Sequence, residues 1–316
     1  MTQIDWISDS ALSDYGYAAA IDAISRTLES GFDPSSDKVR SFVEFSQGQG
    51  LVMPSEIGDY VGLKFVTVAP GNPSNNLDRI QGIFTLFDSR SLTPLAQCNG
   101  AALTLLRTAA VSGAVISRLT EATEPKVALF GSGPQALAHI LSIEVIANLK
   151  SVAVFARNSA TSDTLLQTVR ETGVSCHLGD REDLLEADII ITATTARDPL
   201  FTLDEINPNA LIVAVGSHEA SAREIGSDVV SSAQVFVEDV ATCLREAGDV
   251  ILAIQDGSIT EAELVPMSSL FRNEPTSKLR DGPEAGLKLY KSTGMPWQDL
   301  AIFSDIYEKR GFLATG

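Results

Sequence analysis

VALFGSGPQALAHI, residues 127–140, is the stretch that decides the fold. Four apolar residues, Val127–Phe130, lead into a glycine turn, after which alanine, leucine and isoleucine recur at helical spacing. This order predicts a strand, a tight turn and a helix. In the dinucleotide-binding form of this unit, the first glycine permits the turn, the second lets backbone N–H groups approach the pyrophosphate, and a small third residue packs helix against strand. Gly131, Gly133 and Ala136 fit these positions, although a G-x-G-x-x-A string also fits an ordinary turn.

The sequence after this turn alternates between short apolar runs and helical patterns. The runs SVAVFA, VSCHL and DIIITAT are separated by segments with helical spacing, and LIVAVG (211–216) and QVFVED (234–239) add further candidate strands. This alternation predicts a parallel sheet with right-handed crossovers, that is, a Rossmann-type doubly wound domain. The glycine turn follows its first strand, where this fold binds a dinucleotide.

The sequence before the turn has a different texture. Residues 15–30 carry apolar positions at helical spacing, and residues 41–88 form short alternating or β-branched runs separated by glycine, proline and asparagine. An apolar helix is predicted over 102–119. A separate α+β domain with antiparallel strands is therefore expected, in agreement with the two domains that 316 residues predict.

Composition excludes several classes of partner. The chain has 23 Lys+Arg against 41 Asp+Glu, and its net charge of −18 repels nucleic-acid backbones and anionic membranes. The N-terminal sequence lacks the pattern of a signal peptide, so a cytoplasmic protein is expected. Cys98, Cys176 and Cys243 have no paired spacing, which predicts buried free cysteines and no metal site.

The end of the second predicted strand indicates which dinucleotide is preferred. An Asp or Glu there would accept hydrogen bonds from a free ribose 2′-hydroxyl. The strand instead ends in SVAVFARNSA, with Arg157 and Asn158 and no carboxylate. Arg157 would attract a 2′-phosphate, so NADP is favoured over NAD, with a solvated loop arginine as the alternative. Ala193 and Thr194, after the DIIIT run, are expected to lie over the cofactor.

Several stretches of the chain resemble the ornithine cyclodeaminase and mu-crystallin family. They are GLKFVTVAPGNP, LTLLRTAAVSGA, GSGPQA, VGSHEASARE, REAGDV and LYKSTGMPWQDLA, in this order along nearly the whole chain. The resemblance implies a substrate-binding and dimerisation domain over 1–112, closed by a C-terminal helix over 296–316. It also implies a Rossmann NAD(P)-binding domain over 113–295 and a homodimer.

The resemblance further implies how the substrate is held. In the family, a lysine and two arginines grip the α-carboxylate of an amino or imino acid, and Lys64, Arg107 and Arg40 occupy the matching positions. Arg107 is also the only charged residue in the apolar stretch 102–116, where an unpaired buried charge would be costly. Because Lys64 lies in an apolar strand, an orientation toward solvent is its alternative.

One position departs from the deaminating members of this family. They carry an acid/base aspartate two residues after the glycine that ends a strand, whereas this chain has His218 after Gly216 and Ser217. A histidine can transfer protons near neutral pH but provides no fixed negative charge beside a substrate ammonium, which disfavours cyclodeamination. A loop histidine without chemical duty is the alternative. Lys291 in LYKSTG matches a family lysine near the nicotinamide, with a solvated loop lysine as its alternative.

These features predict an oxidoreductase that passes hydride between NADPH and the Cα of an imino or amino acid, of the ketimine reductase, cyclic-imine reductase or amino-acid dehydrogenase type. Two alternatives stay open: an ornithine cyclodeaminase with bound NAD, and an NADP-binding, crystallin-like protein with little turnover. The predicted catalytic residues are Lys64, Arg107 and His218. The predicted cofactor-binding residues are Gly131, Ser132, Gly133, Gln135, Ala136, Arg157, Asn158, Ala193, Thr194, Gly216, Ser217 and Lys291.

Overall fold

The computed structural model describes residues 4–272 and 286–313. The chain divides into two compact units, one formed by Met1–Val111 and Gly294–Gly316 and the other by Ser112–Thr293. The first is an α+β unit and the second is built on a parallel sheet, which confirms the predicted fold class. The binding roles predicted for residues 1–112 and 113–295 stay predictions.

Two sheets organise the described residues. The strands of the first sheet are β1 (Asp5–Ile7), β2 (Ser41–Phe45), β3 (Gly48–Ile57), β4 (Tyr60–Val68), β5 (Ile80–Asp88) and β6 (Pro94–Asn99). The strands of the second are β7 (Lys126–Phe130), β8 (Ser151–Phe155), β9 (Cys176–Leu178), β10 (Ile189–Thr192), β11 (Leu211–Ala214), β12 (Gln234–Val237), β13 (Val265–Pro266) and β14 (Lys288–Lys291). The helices are α1 (Asp9–Glu29), α2 (Gly100–Leu119), α3 (Pro134–Glu144), α4 (Ser159–Glu171), α5 (Arg181–Glu186), α6 (Ser227–Ser232), α7 (Val240–Glu246), α8 (Gly248–Gln255) and α9 (Pro296–Leu313).

The first sheet has the strand order β1-β6-β5-β4-β3-β2, and its strands from β2 to β6 are antiparallel, as predicted for those within residues 41–88. Helix α1 begins before the predicted start at residue 15, because the Ser8 side chain accepts from the Ala11 N–H and caps an additional segment. Gly16, with a φ of 75°, breaks α1 near that predicted start. The apolar spacing therefore located the part of the helix that follows the break.

The two faces of β4 have different surroundings. Gly62, Lys64 and Val66 alternate along the strand on its buried face. A Cβ on Gly62 would lie 3.2 Å from Cδ1 of Leu300, so α9 covers this face closely. Phe65 points to the opposite face, where it pairs with Ile83 of β5 and is 38% exposed. The first unit thus has a core on one side of its sheet and an exposed apolar surface on the other.

The second sheet is entirely parallel, in the order β13-β12-β14-β11-β10-β7-β8-β9. Strand β7 lies inside the sheet, and the next two strands along the chain, β8 and β9, are added on one side of it. Strand β10 then pairs with the other side of β7. The strand order therefore reverses between β7 and β10. In doubly wound sheets, ligands bind outside the carboxyl ends of the strands at such a reversal.

Strand β14 was not predicted from the sequence. It lies between β11 and β12, although it follows β13 along the chain. Its sequence, KLYK, is short and begins and ends with lysine, so it lacks the apolar run typical of a central strand. Both lysines have polar partners in the fold: Lys288 donates to the Leu119 carbonyl, and Lys291 lies beside Asp249.

Helix α2 confirms the apolar helix predicted over 102–119, and the boundary between the two units falls within it. By length and composition it could cross a membrane, with a mean hydropathy of 1.4 in its most apolar window. However, 72% of that window is buried inside the protein, and the core helix of a globular unit passes the same test.

Candidate cofactor and substrate sites

The glycine turn between β7 and α3 is shaped by contacts that exclude side chains. Gly131 has a φ of 117°, which favours glycine, and a Cβ there would lie 2.5 Å from the Ala193 carbonyl oxygen. Gly133 has open space where a Cβ would point, and it is the N-cap of α3 without a side-chain hydrogen bond. Ala136 is fully buried, as close packing of helix against strand requires. The helix N-terminus is thus available to an anion.

A cleft of about 850 Å³ lies in the second unit at the carboxyl ends of β7, β8 and β10. This is where the strand order reverses. Of the predicted cofactor residues, those that line the cleft are Gly131, Ser132, Gly133, Arg157, Asn158, Ala193 and Thr194. Those outside its lining, in the part of the chain that the structure describes, are Gln135, Ala136, Gly216, Ser217 and Lys291.

The loop after β8 brings Arg157 and Asn158 to the cleft. Arg157 is exposed, and the residues from 156 to 159 include no carboxylate. The Asn158 side chain accepts from the N–H groups of Ala160 and Thr161, so it caps α4. Arg157 is therefore the charged side chain that this loop presents to the cleft.

Among the lining residues that were not predicted from the sequence are Leu178 and Arg197. Leu178 ends β9, lines the cleft and is 57% exposed. Arg197 lies in the loop after β10, and its Nη1 is 2.7 Å from Glu219 Oε2. Leu178 and Arg197 do not belong to a sequence motif. Their position beside the glycine turn follows from the order of the strands in the sheet.

Glu224 is a fully buried carboxylate bonded to this cleft wall, and it too was missed. Its Oε1 accepts from the N–H and the hydroxyl of Thr194, at 2.9 and 2.7 Å. Its Oε2 accepts from the Thr192 hydroxyl at 2.9 Å and from the Gly216 N–H at 2.8 Å. One side chain therefore joins the ends of β10 and β11.

Lys291 has no contact with solvent, so the alternative of a solvated loop lysine is wrong. Its Nζ donates to the Ser217 carbonyl at 2.6 Å and lies 2.9 Å from Asp249 Oδ2. His218, which follows Ser217 along the chain, is exposed. Lys291 thus holds the backbone that carries His218.

In the first unit, Lys64 is 1% exposed, so its solvent-facing alternative is also wrong. Its Nζ donates to Thr104 Oγ1 at 3.0 Å and lies 2.6 Å from Asp299 Oδ2. Burial, together with the positive charges of Arg107 and Arg40, lowers the pKa of Lys64 to about 8, and Asp299 acts in the opposite direction. The ammonium is therefore held in a dry, positively charged environment with one carboxylate.

Arg107 lies beside the same carboxylate. Its Nη1 donates to Gln298 Oε1 at 2.9 Å, and its Nε lies 3.9 Å from Asp299 Oδ1. A Cβ on Gly294 would lie 2.5 Å from Nη1, and the φ of Gly294 is 79°. The guanidinium thus rests against a backbone position that tolerates only glycine without a shift of the arginine.

The structure brings together the three cations that were predicted to hold a carboxylate. Arg40 and Arg107 both influence the charge of Lys64. The polar partners Thr104, Gln298 and Asp299 were missed, although QD within LYKSTGMPWQDLA contains the last two. The family resemblance of that stretch could have pointed to Gln298 and Asp299. Their distance along the chain from Lys64 in β4 is too large for any spacing pattern to connect them.

Cys98, Cys176 and Cys243 are free and buried, as predicted. Among residues 4–272 and 286–313, no group of three or more His, Cys, Asp or Glu side chains is arranged to hold a metal ion. The candidate chemistry of the described chain thus rests on the cations of the first unit and the cleft of the second.

Residues 8–311 match the sequence profile of the ornithine cyclodeaminase/mu-crystallin family. A Delta(1)-pyrroline-2-carboxylate reductase of Bacillus cereus is 28% identical over 280 residues, which cover 86% of this chain and 85% of that protein. The ketimine reductase mu-crystallin of Rattus norvegicus is 28% identical over 274 residues, covering 85% and 84%.

One similar solved structure is that of the Thermococcus litoralis Delta(1)-pyrroline-2-carboxylate reductase in complex with NADH and L-proline. It superposes with a TM-score of 0.86 at 25% identity, and the match covers 97% of each chain. The similarity therefore extends over both units and is not restricted to the dinucleotide-binding type of sheet.

Proposed function

The chain belongs to the ornithine cyclodeaminase/mu-crystallin family, and on that premise we propose that it is an NAD(P)H-dependent oxidoreductase acting at Cα of an imino or amino acid. The reaction is of the ketimine reductase, cyclic-imine reductase or amino-acid dehydrogenase type. The first unit is the substrate-binding and dimerisation domain, and the second is the Rossmann NAD(P)-binding domain. Two of the relatives named above, a pyrroline-2-carboxylate reductase and a ketimine reductase, support this class.

The observation that carries the proposal is the cation cluster of Arg40, Lys64 and Arg107. Lys64 and Arg107 both lie beside one carboxylate, Asp299, and Arg40 adds a positive charge that acts on Lys64, so two cations share one counter-ion and leave a surplus of positive charge. A low-dielectric site with such a surplus favours an anionic ligand, and a substrate carboxylate supplies that charge. Arg107 offers the planar fork that binds a carboxylate through two hydrogen bonds. The three cations therefore anchor the substrate α-carboxylate and fix the orientation of Cα.

The second unit fits a dinucleotide at the cleft. The open space above Gly133 and the uncapped N-terminus of α3 suit a pyrophosphate, because backbone N–H groups and the helix dipole favour an anion there. Leu178 offers an apolar wall for an adenine ring. When bound, the nicotinamide supplies the hydride. The residues of this unit bind and orient that group.

NADPH is the preferred form of the cofactor in this proposal. Arg157 is exposed in the cleft, and its loop, residues 156–159, carries no carboxylate to bind a free 2′-hydroxyl. A 2′-phosphate would form charge-assisted hydrogen bonds with the guanidinium, whereas NADH would offer this arginine no such phosphate.

A proton at the substrate nitrogen makes the Cα of an imine electrophilic. His218 or water is proposed to supply this proton, since His218 is exposed on the loop that Lys291 holds through Ser217. Addition of hydride at Cα then converts the C=N double bond into a C–N single bond, with the hydride on Cα and the proton on nitrogen. Lys64 and Arg107 keep the carboxylate in place during this change.

A homodimer is proposed through the exposed apolar face of the first sheet. Phe45, Phe65 and Ile83 lie on this face and are 53%, 38% and 48% exposed. A Cβ on Gly50 would touch the rings of both Phe45 and Phe65, which places these two side chains together. Phe65→Asp should convert the dimer to a monomer in light scattering, whereas Leu92→Asp, at an exposed turn residue, should leave it intact. A wild-type monomer would overturn this part of the proposal.

A cytoplasmic location is proposed from the three free cysteines, because thiols stay reduced in that compartment. The net charge of −18 supports a small-molecule partner in place of a nucleic acid.

The function is tested by measuring NADPH oxidation with a panel of cyclic imines and of 2-oxo acids mixed with amines. The expected result is turnover with at least one imine that carries an α-carboxylate, and none with the matching imine that lacks it. A separate arm measures ammonia release from ornithine with NAD. Faster ammonia release than imine reduction would establish the cyclodeaminase alternative, and binding of NADPH without turnover in any arm would establish the crystallin-like alternative.

A further inference from the structure

We propose that Glu224 is a positioning residue, which sets the geometry of the cofactor cleft by holding the loops after β10 and β11 in fixed register. This inference rests on the proposed function, because it concerns the cleft assigned to the dinucleotide. Thr194 lines that cleft, whereas Glu224 lies behind it with no exposed surface. Glu224 therefore acts through the residues that it holds.

The hydrogen bonds of Glu224 use the full capacity of a carboxylate. Each oxygen accepts two hydrogen bonds: Oε1 from the Thr194 N–H and hydroxyl, and Oε2 from the Thr192 hydroxyl and the Gly216 N–H. An ionised carboxylate has about four lone-pair sites. All of them are occupied by donors from the ends of two adjacent strands.

Gly216 shows how closely the two loops are held. A Cβ at this position would lie 2.2 Å from the Thr194 carbonyl oxygen and 2.4 Å from Glu224 Oε1. The φ of Gly216 is negative, so backbone conformation does not require glycine here. Glycine is required because the Thr194 carbonyl and the Glu224 carboxylate leave no room for a side chain. Glu224, Thr194 and Gly216 are therefore tightly packed together at the wall of the cleft.

Glu224 is itself held by a second buried carboxylate. Asp249 Oδ1 accepts from the backbone N–H groups of Glu224 and Ile225, at 2.7 and 2.9 Å. The ammonium of Lys291 balances the charge of Asp249 and donates to the Ser217 carbonyl. The chain of contacts thus runs from β14 through Asp249 to Glu224 and the cleft. Lys291 belongs to this support through its contacts with Asp249 and Ser217.

A glutamine cannot replace Glu224 in this role. Its amide oxygen accepts two hydrogen bonds, but its NH₂ group would face one threonine hydroxyl, which can rotate to accept, and one backbone N–H, which cannot. That buried N–H, of Thr194 or of Gly216, would lose its acceptor and meet another donor, so its loop must move. The cleft changes shape even though the substitution preserves size.

The test compares Glu224→Gln with Glu238→Gln in NADPH titrations followed by nicotinamide fluorescence. Glu238 is a matched control because it is 2% exposed and accepts from Ser292 Oγ at 2.9 Å and from the Thr293 N–H at 3.0 Å, yet it does not line the cleft. We expect the Kd for NADPH to rise at least about 10-fold in Glu224→Gln and less than about twofold in Glu238→Gln. The KM for NADPH should rise in parallel, with little change in the KM for the imine. An equal change in both variants, or an unchanged Kd in Glu224→Gln, would overturn the inference.

A second variant keeps the test decisive if Glu224→Gln does not fold. Thr192→Val removes one of the four donors without altering a residue of the cleft lining, because Thr192 is fully buried and is not one of the residues that line the cleft. Its Kd for NADPH should rise by a smaller factor, about 2- to 5-fold, and an unchanged Kd would count against the inference. A wild-type protein that binds no dinucleotide would instead refute the proposed function, so the two failures are distinguishable.

Discussion

Lys64 Nζ lies 2.6 Å from Asp299 Oδ2, and the two side chains are 1% and 0% exposed. Lys64 is in β4 and Asp299 in α9, so the ion pair joins a strand near the start of the chain to its last described helix. Removal of one partner from such a buried pair leaves an uncompensated charge, whereas removal of both relieves it.

Asp299→Asn should lower the free energy of unfolding by about 3–5 kcal/mol, the range for breaking a buried ion pair. The double variant Asp299→Asn/Lys64→Met should recover part of that loss, because no unpaired ammonium stays buried. Urea denaturation of the wild type, the two single variants and the double variant gives the coupling between these residues. Additive effects of the two substitutions would show that the pair contributes nothing beyond packing.

The pKa of Lys64 predicts a limb in the pH profile. Burial lowers this pKa from 10.5 to about 8, so the folded protein loses the Lys64 proton as the pH rises through about 8. The unfolded chain keeps the proton to higher pH, so this group makes stability rise with pH between about 8 and 10.5. Carboxylate binding needs the charged form, and kcat/KM should therefore fall above a pH of about 8. Lys64→Arg should remove that limb with the same imine, since arginine stays protonated.

Gly294→Ala should displace the Arg107 guanidinium, because a Cβ at this position would lie 2.5 Å from Nη1 and the φ of 79° is strained for alanine. We expect kcat/KM for the imine to fall by about 10- to 100-fold, as misplacement of a substrate anchor by about 1 Å does. The Kd for NADPH should stay unchanged. Gly71→Ala is the matched control, since a Cβ there meets nothing within 4 Å. Equal kinetics in the two variants would argue that Arg107 does not anchor the substrate.

Arg157→Asp should reverse the cofactor preference. The wild type should bind NADPH more tightly than NADH by about 10-fold or more, the effect of one or two charge-assisted hydrogen bonds. The aspartate would repel a 2′-phosphate and accept from a 2′-hydroxyl. Arg181→Asp makes the same change of charge outside the cleft lining and should leave the ratio of the two Kd values intact. Equal affinities of the wild type for NADPH and NADH would refute this assignment.

His218→Asn should lower imine turnover about 10²-fold if His218 donates the proton, with the Kd for NADPH unchanged. The pH profile should lose a limb near neutrality at the same time. His177→Asn is the control, because His177 is also exposed but pairs with Asp183 at 2.9 Å. His218→Asp tests the departure from the deaminating pattern, since a fixed negative charge should raise ammonia release from ornithine. An unchanged rate and pH profile in His218→Asn would assign the proton to water.

The glycine turn that lines the cleft of the second unit was easier to predict from the sequence than the buried residues that support this cleft. Strand, glycine turn and helix are adjacent along the chain, so the turn of Gly131 and Gly133 was found by local spacing alone. Glu224 and Asp249 are polar residues in segments without periodicity, and their burial depends on donors from β10, β11 and β14. A pattern of neighbouring residues cannot predict which strand ends come together in the fold.

The orientation of Lys64 also depended on distant residues. Alternation along β4 permits the lysine on either face, and its neighbours Leu63 and Phe65 are both apolar. Lys64 can lie on the buried face because Thr104 in α2 and Asp299 in α9 accept hydrogen bonds from its ammonium group. A partner 235 residues away along the chain lies beyond any window of periodicity. The family resemblance located Lys64, and only the fold explains how its charge is tolerated inside.

The first unit is discontinuous along the chain, since α9 joins residues that precede the whole of the second unit. During synthesis on the ribosome, the uninterrupted segment 112–293 is complete before α9 has been made, so the second unit can fold while the nascent chain is still growing. Lys64 and Arg107 therefore gain Asp299 and Gln298 as partners only after the segment of the second unit has been translated. The surroundings of Lys64 are therefore completed after the second unit, and a chain that stopped before α9 would keep the cleft of the second unit but lack Asp299, the counter-ion of Lys64.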